Sequence, residues 1–246
     1  MSKVLNVSAY KFVPLGDPLA LRDGIRSRAH ERELKGTVLL AAEGINFVLA
    51  GARDALRDFI DWLRLDARFA DLVPKESVSA QVPFRRLVVK VKREIIRMDC
   101  PPIRPQAGRA PAVDASTLAR WLDRGHDDAG RPVVTLDTRN AFEVALGCFE
   151  RSTHFDLARF GDFPAALDAR RAELQGKTVV SYCTGGIRCE KAALLMRAVG
   201  IGDVYQLDGG ILRYFEEVGA THWRGRCFVF DERQALAPDL HPAACG

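Results

Sequence analysis

With 246 residues, 48% of them hydrophobic and 28% charged, the chain has the composition of a soluble globular protein with room for one large domain or two small ones. No apolar run approaches the roughly 20 residues of a membrane helix, and Met1-Ser2-Lys3-Val4-Leu5-Asn6 lacks a signal-peptide core, so a cytoplasmic protein with no membrane partner is expected. The net charge is +4, but the first hundred residues hold 18 Lys+Arg against 13 Asp+Glu and the rest 18 against 19, an excess in the first part that fits either an anionic partner or an ordinary solvated surface.

Residues 4–10 are patterned as a strand. Asp17-Pro18 supplies a capping residue and a first-turn proline, predicting a helix to about Leu34 that Lys35-Gly36 would end. The apolar runs 37–41 and 47–50 are joined by Ala42-Glu43-Gly44-Ile45-Asn46 and read as a hairpin. That turn either serves hairpin geometry alone or meets the substrate or the second domain. A helix starts at Ala52, because Leu56, Phe59, Ile60 and Leu63 recur at the spacing of one buried face while Arg53, Arg57 and Arg64 fall off it. Residues 87–91 form a further strand. Strand, helix, strand, strand, helix, strand is the order of the ferredoxin-like βαββαβ fold, an α+β domain over residues 1–99.

Between Gln81 and Arg109, eight basic residues are set against Glu94 and Asp99 alone. Lys90 and Lys92 project from one face of a strand and, with Arg93 and Arg97, are candidate RNA contacts; the other reading is a sheet edge kept solvated by lysines. No row of exposed aromatics accompanies them, so no platform for stacking single-stranded bases is visible. Prolines 101, 102, 105 and 111 mark a linker over residues 100–113.

The second domain, 114–222, opens on a capping signal at Asp114-Ala115-Ser116. Strands at 132–139, 153–157, 178–182 and 204–207 alternate with helices at 141–146, 162–174, 190–199 and 211–218, which predicts an α/β domain with a mainly parallel sheet. Residues 223–246 are left as a tail. Ligands of such sheets bind at the carboxyl ends of the strands, where both Asp137 and Cys183 fall.

Val179-Val180-Ser181-Tyr182-Cys183-Thr184-Gly185-Gly186-Ile187-Arg188-Cys189-Glu190 reads as strand, tight loop and helix. A cysteine at the mouth of a helix faces unpaired N–H groups and the positive end of the helix dipole, which favour the thiolate. Cys183 is therefore the candidate nucleophile. Thr184, Gly185, Gly186 and Ile187 form a candidate anion-binding loop whose glycines let successive N–H groups curl around one point, and Arg188 adds positive charge. Such a cradle suits either a persulfide in sulfur transfer or a thiolate in oxygen chemistry, and the residues alone leave both open. No dinucleotide fingerprint, flavin motif or histidine-rich metal set is evident, so no cofactor is recognised.

The Cys-x-x-x-x-Arg loop resembles that of rhodanese domains, and Tyr182 through Lys191 resembles one branch of them, the rhodanese-containing tRNA uridine hydroxylases, formerly grouped as uncharacterised rhodanese-related sulfurtransferases. Gly36 through Asn46 resembles that family's N-terminal acylphosphatase-like domain, Asp137-Thr138-Arg139 the first rhodanese signature, and Leu207-Asp208-Gly209-Gly210-Ile211 the closing one. The resemblance spans nearly the whole chain. It implies oxygen-dependent hydroxylation of the wobble uridine of tRNA to 5-hydroxyuridine, with Cys183 as the thiolate, tRNA as partner and dioxygen as co-substrate. It also implies that Asp137 and Arg139 steady the sheet end rather than perform chemistry. The alternative is a thiosulfate sulfurtransferase carrying a persulfide on Cys183. A tRNA-binding module without activity is disfavoured by the intact loop, and no oligomeric state is assigned. Longer members of the family continue into a cysteine-rich extension beyond the position of Gly246, whose role is not carried over.

The six cysteines, at 100, 148, 183, 189, 227 and 245, show no paired framework and are expected as free thiols. Cys189 is either a resolving thiol for an oxidised Cys183 or a small buried residue of the first helical turn. Cys148 receives no role. His222, Cys227, His241 and Cys245 lack the short Cys-x-x-Cys pairs of a zinc site, so no metal is assigned.

Overall fold

The computed structural model describes residues 4–243. Two compact units are present, one built from the residues up to Ile96 with Phe230–Gln234, the other from Arg97–Val229 with the residues from Ala235 onward.

In the first unit β1 (Val4–Phe12), α1 (Pro18–Glu31), β2 (Lys35–Ala41), β3 (Gly44–Gly51), α2 (Arg53–Arg64), β4 (Lys75–Ser79) and β5 (Leu87–Val91) follow in order. The sheet order is β4-β1-β3-β2-β5. Leu5, Val7 and Ala9 of β1 alternate inward with Ile45, Phe47 and Leu49 of β3. They meet Leu56, Phe59, Ile60 and Leu63, the apolar stripe expected of α2.

The ferredoxin-like order is present, but the strand that completes it is β4, antiparallel to β1. The predicted strand at 87–91 is instead a fifth strand, parallel to β2 on the opposite edge. Lys35 and Gly36, expected to end α1, open β2. The hairpin is also tighter than expected: Ala41 pairs with Gly44, so Ala42 and Glu43 alone turn the chain. Gly44 has φ +148°, and a Cβ there would lie 2.0 Å from the Lys11 carbonyl oxygen, a contact that only glycine escapes. The Glu43 carboxylate accepts the Ile95 N–H at 2.8 Å and the Asn46 amide donates to the Ile95 carbonyl at 3.2 Å, tying the hairpin to the chain beyond β5.

In the second unit β6 (Ala112–Val113), α3 (Ala115–Arg124), β7 (Val133–Asp137), α4 (Ala141–Val144), β8 (Gly147–Phe149), β9 (Thr153–His154), α5 (Phe163–Arg170), β10 (Thr178–Tyr182), α6 (Ile187–Ala198), β11 (Val204–Leu207) and α7 (Gly210–Glu217) precede three short strands, β12 (Trp223–Gly225), β13 (Cys227–Phe228) and β14 (Ala235–Leu236). The main sheet, ordered β6-β11-β10-β7-β9, is parallel throughout. Its central strand, β10, is buried along its whole length, which is why its sequence is an unbroken run without alternation.

Two segments fold more than expected. The linker region 100–113 ends in a strand of the sheet, and the tail from 223 is folded: β12 pairs with β8, and Trp223 and Cys227 belong to the second core. Phe149 is the hub of that core, edge to face with Tyr182, Tyr214 and Trp223 at centroid distances of 4.8, 4.7 and 5.2 Å. Phe149→Ala removes all three contacts and opens a cavity, so the second unit should lose about 3–5 kcal/mol in denaturant titrations followed by circular dichroism.

Candidate active site

Cys183 directly follows β10, and α6 begins four residues later at Ile187. The turn between them needs a left-handed residue, supplied by Gly186 at φ +100°, and the Gly186 N–H then points back at the Cys183 Sγ, 3.2 Å away. Two elements hold this loop in place. Thr138, at the end of β7, donates its N–H (3.0 Å) and its hydroxyl (2.9 Å) to the carbonyl of Tyr182, the residue before the cysteine. The first turn of α7 donates from Ile211 to the Cys183 carbonyl at 3.0 Å and from Leu212 to the Thr184 carbonyl at 3.1 Å. Gly210 permits that approach, since a Cβ there would sit 2.4 Å from the Cys183 oxygen.

Cys183, Cys189 and Cys227 are all buried, yet they differ in acidity. Burial pushes the Cys227 thiol up to about 12. Burial, and then the neighbouring Cys183, raise Cys189 well above the ordinary value near 9. Burial opposes ionisation of Cys183 as well, but the Cys189 S–H, the Arg188 charge and the backbone N–H groups of Cys189 and Arg188 outweigh it and bring Cys183 down to about 5. The Cys189 S–H donates to the Gly186 carbonyl at 2.9 Å and lies near enough to the Cys183 sulfur to favour its ionised form. Cys189 is thus part of the cradle, which its burial in the first helical turn alone would not indicate.

Arg188 adds its charge beside the loop and is itself held by a carboxylate. Two of its guanidinium nitrogens bind the two carboxylate oxygens of Glu143 at 2.6 and 2.8 Å, and both residues are buried. Its field still lowers the Cys183 pKa, while Glu143 keeps the buried cation compensated. Glu143 also accepts the Asn140 N–H at 3.1 Å, completing a capping box at the start of α4. Glu143 and Thr138 were not among the expected site residues. Asn140-x-x-Glu143 is a readable capping signal, though it gives no hint of a partner 45 residues on.

Asp137 and Arg139 form a fully buried pair at 2.6 Å. Arg139 also donates to the Gly147 carbonyl at 2.6 Å and lies over the rings of Tyr182 and Trp223. The pair therefore ties the end of β7 to β8 beneath the loop. Thr184 donates its hydroxyl to the Phe228 carbonyl at 3.3 Å. Gly185 lies in the turn, where a side chain would meet nothing within 4 Å.

Of the candidate RNA contacts, Lys90, Lys92 and Arg93 belong to the first unit, are exposed, and have no ion-pair partner among the described residues. Arg97 belongs to the second unit and pairs with Asp99 at 2.5 Å. His222 pairs with Asp123 at 2.9 Å, and Cys227 approaches Thr184 at 3.9 Å. Cys245 lies outside the described residues. The five described cysteines are free thiols.

With this geometry in view, likeness to known proteins decides the family. Residues 4–95 match the model of the UPF0176 acylphosphatase-like domain, and residues 114–217 match the rhodanese-like domain. A tRNA uridine(34) hydroxylase of Bordetella pertussis is 61% identical over 244 residues, covering 99% of this chain and 100% of that protein. The chain belongs to the tRNA uridine(34) hydroxylase family. Similar relatives of that name come from Delftia acidovorans, 62% identical over 98% of this chain and 91% of that protein, and from Cupriavidus taiwanensis, 61% identical over 98% and 86%. Both halves of the family's architecture, the acylphosphatase-like and the rhodanese-like domain, are thus present in one chain.

The acidity of Cys183 sets the pH at which this family member's cysteine reacts. Its thiolate is the dominant form above pH about 5 and is protonated below it. Alkylation of Cys183 by iodoacetamide, followed by peptide mass spectrometry, should be flat from neutral pH down to about 6 and fall about tenfold per pH unit below 5. A midpoint near 9 would mean that burial dominates the sulfur's environment.

Proposed function

We propose that this chain hydroxylates C5 of uridine 34, the wobble position of tRNA, and that Cys183 is its nucleophile. The observation that carries the reading is a buried, acidified cysteine in a chain 61% identical, over 99% of its length, to a protein named tRNA uridine(34) hydroxylase. The physical chemistry of the loop then supplies the steps. The Cys183 thiolate adds to C6 of the uracil ring, and the electron pair of the C5=C6 bond moves to C5 as an enolate. That carbon bonds to one atom of dioxygen as a hydroperoxide, and two electrons and two protons from an external thiol reductant, which leaves as its disulfide, cleave the O–O bond to give the C5 hydroxyl and water. Loss of the C5 proton and expulsion of the Cys183 thiolate restore the double bond, leaving a hydroxyl on C5 and the enzyme unchanged. The Gly186 N–H and the Cys189 S–H stabilise the thiolate before addition and again on its departure.

Arg188 holds the field around the sulfur and Glu143 holds Arg188. Asp137 and Arg139 keep the floor of the site rigid. Lys90, Lys92 and Arg93 supply an exposed positive surface suited to RNA phosphates.

Cys183→Ala, expressed in a strain lacking its own enzyme, should leave tRNA without 5-hydroxyuridine by nucleoside mass spectrometry; undiminished modification would remove Cys183 from the chemistry. Robust thiocyanate formation from thiosulfate and cyanide, with tRNA unmodified by the native protein, would favour the sulfurtransferase alternative. Replacing Lys90, Lys92 and Arg93 together by Gln should weaken tRNA binding and reduce the slope of log affinity against log salt by about 2–3. An unchanged slope would place the RNA elsewhere.

A further inference from the structure

We propose that Phe142, seated against Phe228, is the surface on which the uracil ring stacks as it is presented to Cys183; this rests on the hydroxylase reading above. Phe142 is 49% exposed, and among the described residues it is the one exposed large aromatic of the second unit. Water-facing apolar rings are unremarkable when scattered, but this one is anchored to the reactive loop. It immediately precedes Glu143, whose carboxylate grips Arg188 in the first turn of α6. Its neighbour Phe228 packs edge to face with it, ring centroids 5.1 Å apart at 89°, and the Phe228 carbonyl accepts the hydroxyl of Thr184, the residue after the nucleophile. Two aromatic residues thus sit next to the loop's supports, Phe142 as the chain neighbour of Glu143, which holds Arg188, and Phe228 through its backbone carbonyl, which accepts from Thr184.

The chemistry calls for such a surface. A thiolate adds to C6 along a line perpendicular to the ring, so the uracil must leave its neighbours in the anticodon and turn a face to the sulfur. Cys183 is only 1% exposed, so the base must also be drawn out of water to reach it. An aromatic ring at the rim compensates both losses at once, because it stacks on the base and excludes water from it. The half-exposed Phe142 ring has no hydrogen-bonding group, so it would hold the base without reading its edge.

Binding of anticodon stem-loop RNA to the full chain tests this without requiring turnover. Two RNAs, one with uridine at position 34 and one abasic there, are titrated against the native protein and against Phe142→Ala, Phe142→Leu and Phe142→Tyr. The native protein and Phe142→Tyr should prefer the uridine RNA by about 5- to 150-fold, the range of one base–aromatic stack, and Phe142→Ala and Phe142→Leu should lose that preference. The pH midpoint of Cys183 alkylation should stay the same in all four proteins, since a stacking ring does not set the loop. A preference retained in Phe142→Ala, or restored by Phe142→Leu, overturns the stacking role and leaves the hydroxylase reading intact. A shifted alkylation midpoint in Phe142→Ala also overturns it, by showing that the ring props the loop. No preference in the native protein overturns the stacking role; native protein that also makes no 5-hydroxyuridine in the cell overturns the hydroxylase reading as well.

Discussion

A negatively charged sulfur almost wholly removed from water is the constraint around which the second unit is arranged. Burial by itself favours the neutral thiol, as Cys227 shows in the same core. The Cys183 thiolate is favoured because N–H groups and one S–H surround it and the Arg188 charge lies close by. Each of those donors must itself be held. Gly186 must be left-handed, the peptide before Cys183 must be pinned by Thr138, and the peptides after it by the first turn of α7. Arg188 must be compensated, which is the task of Glu143. A parallel sheet serves this arrangement because the carboxyl ends of β7 and β10 and the loops that follow them lie side by side.

The same dependence explains which parts of the site were legible in the sequence. Cys183, the two glycines after it and the closing Gly209-Gly210 are local signals, since turn geometry and close backbone approach demand particular residues at particular places. The strand before the loop is legible because both its faces are buried. Glu143 is different: its task is to meet a side chain 45 residues away, and no local pattern records that. Arg188 is legible as positive charge at the loop's end, but the carboxylate that a buried guanidinium beside a thiolate also needs is not. Phe142 looks like an ordinary residue of a short helix until the structure sets it beside Phe228.

In the first unit, α2 and the two central strands of the hairpin could be read from periodicity, because one face of each enters the core. β4 could not. Its sequence, Lys75-Glu76-Ser77-Val78-Ser79, is that of a polar edge strand whose outer side faces water, and such strands carry little alternation. The β5 strand was therefore given β4's place in the fold. The segment after 222 was misjudged for a related reason: strands of two or three residues are too short to show a period, and Trp223 and Cys227 reveal their burial only through their partners.

Proton exchange at C5 of uridine 34 tests most directly whether Cys183 acts by adding to the base. Thiolate addition at C6 makes C5 basic, so in D₂O without dioxygen the enolate should take up solvent deuterium, and reversal should return uridine carrying deuterium at C5. Nucleoside mass spectrometry should find this exchange at uridine 34 with the native protein and none with Cys183→Ala. A native protein that hydroxylates the same tRNA in air yet exchanges nothing at C5 would contradict nucleophilic addition by Cys183.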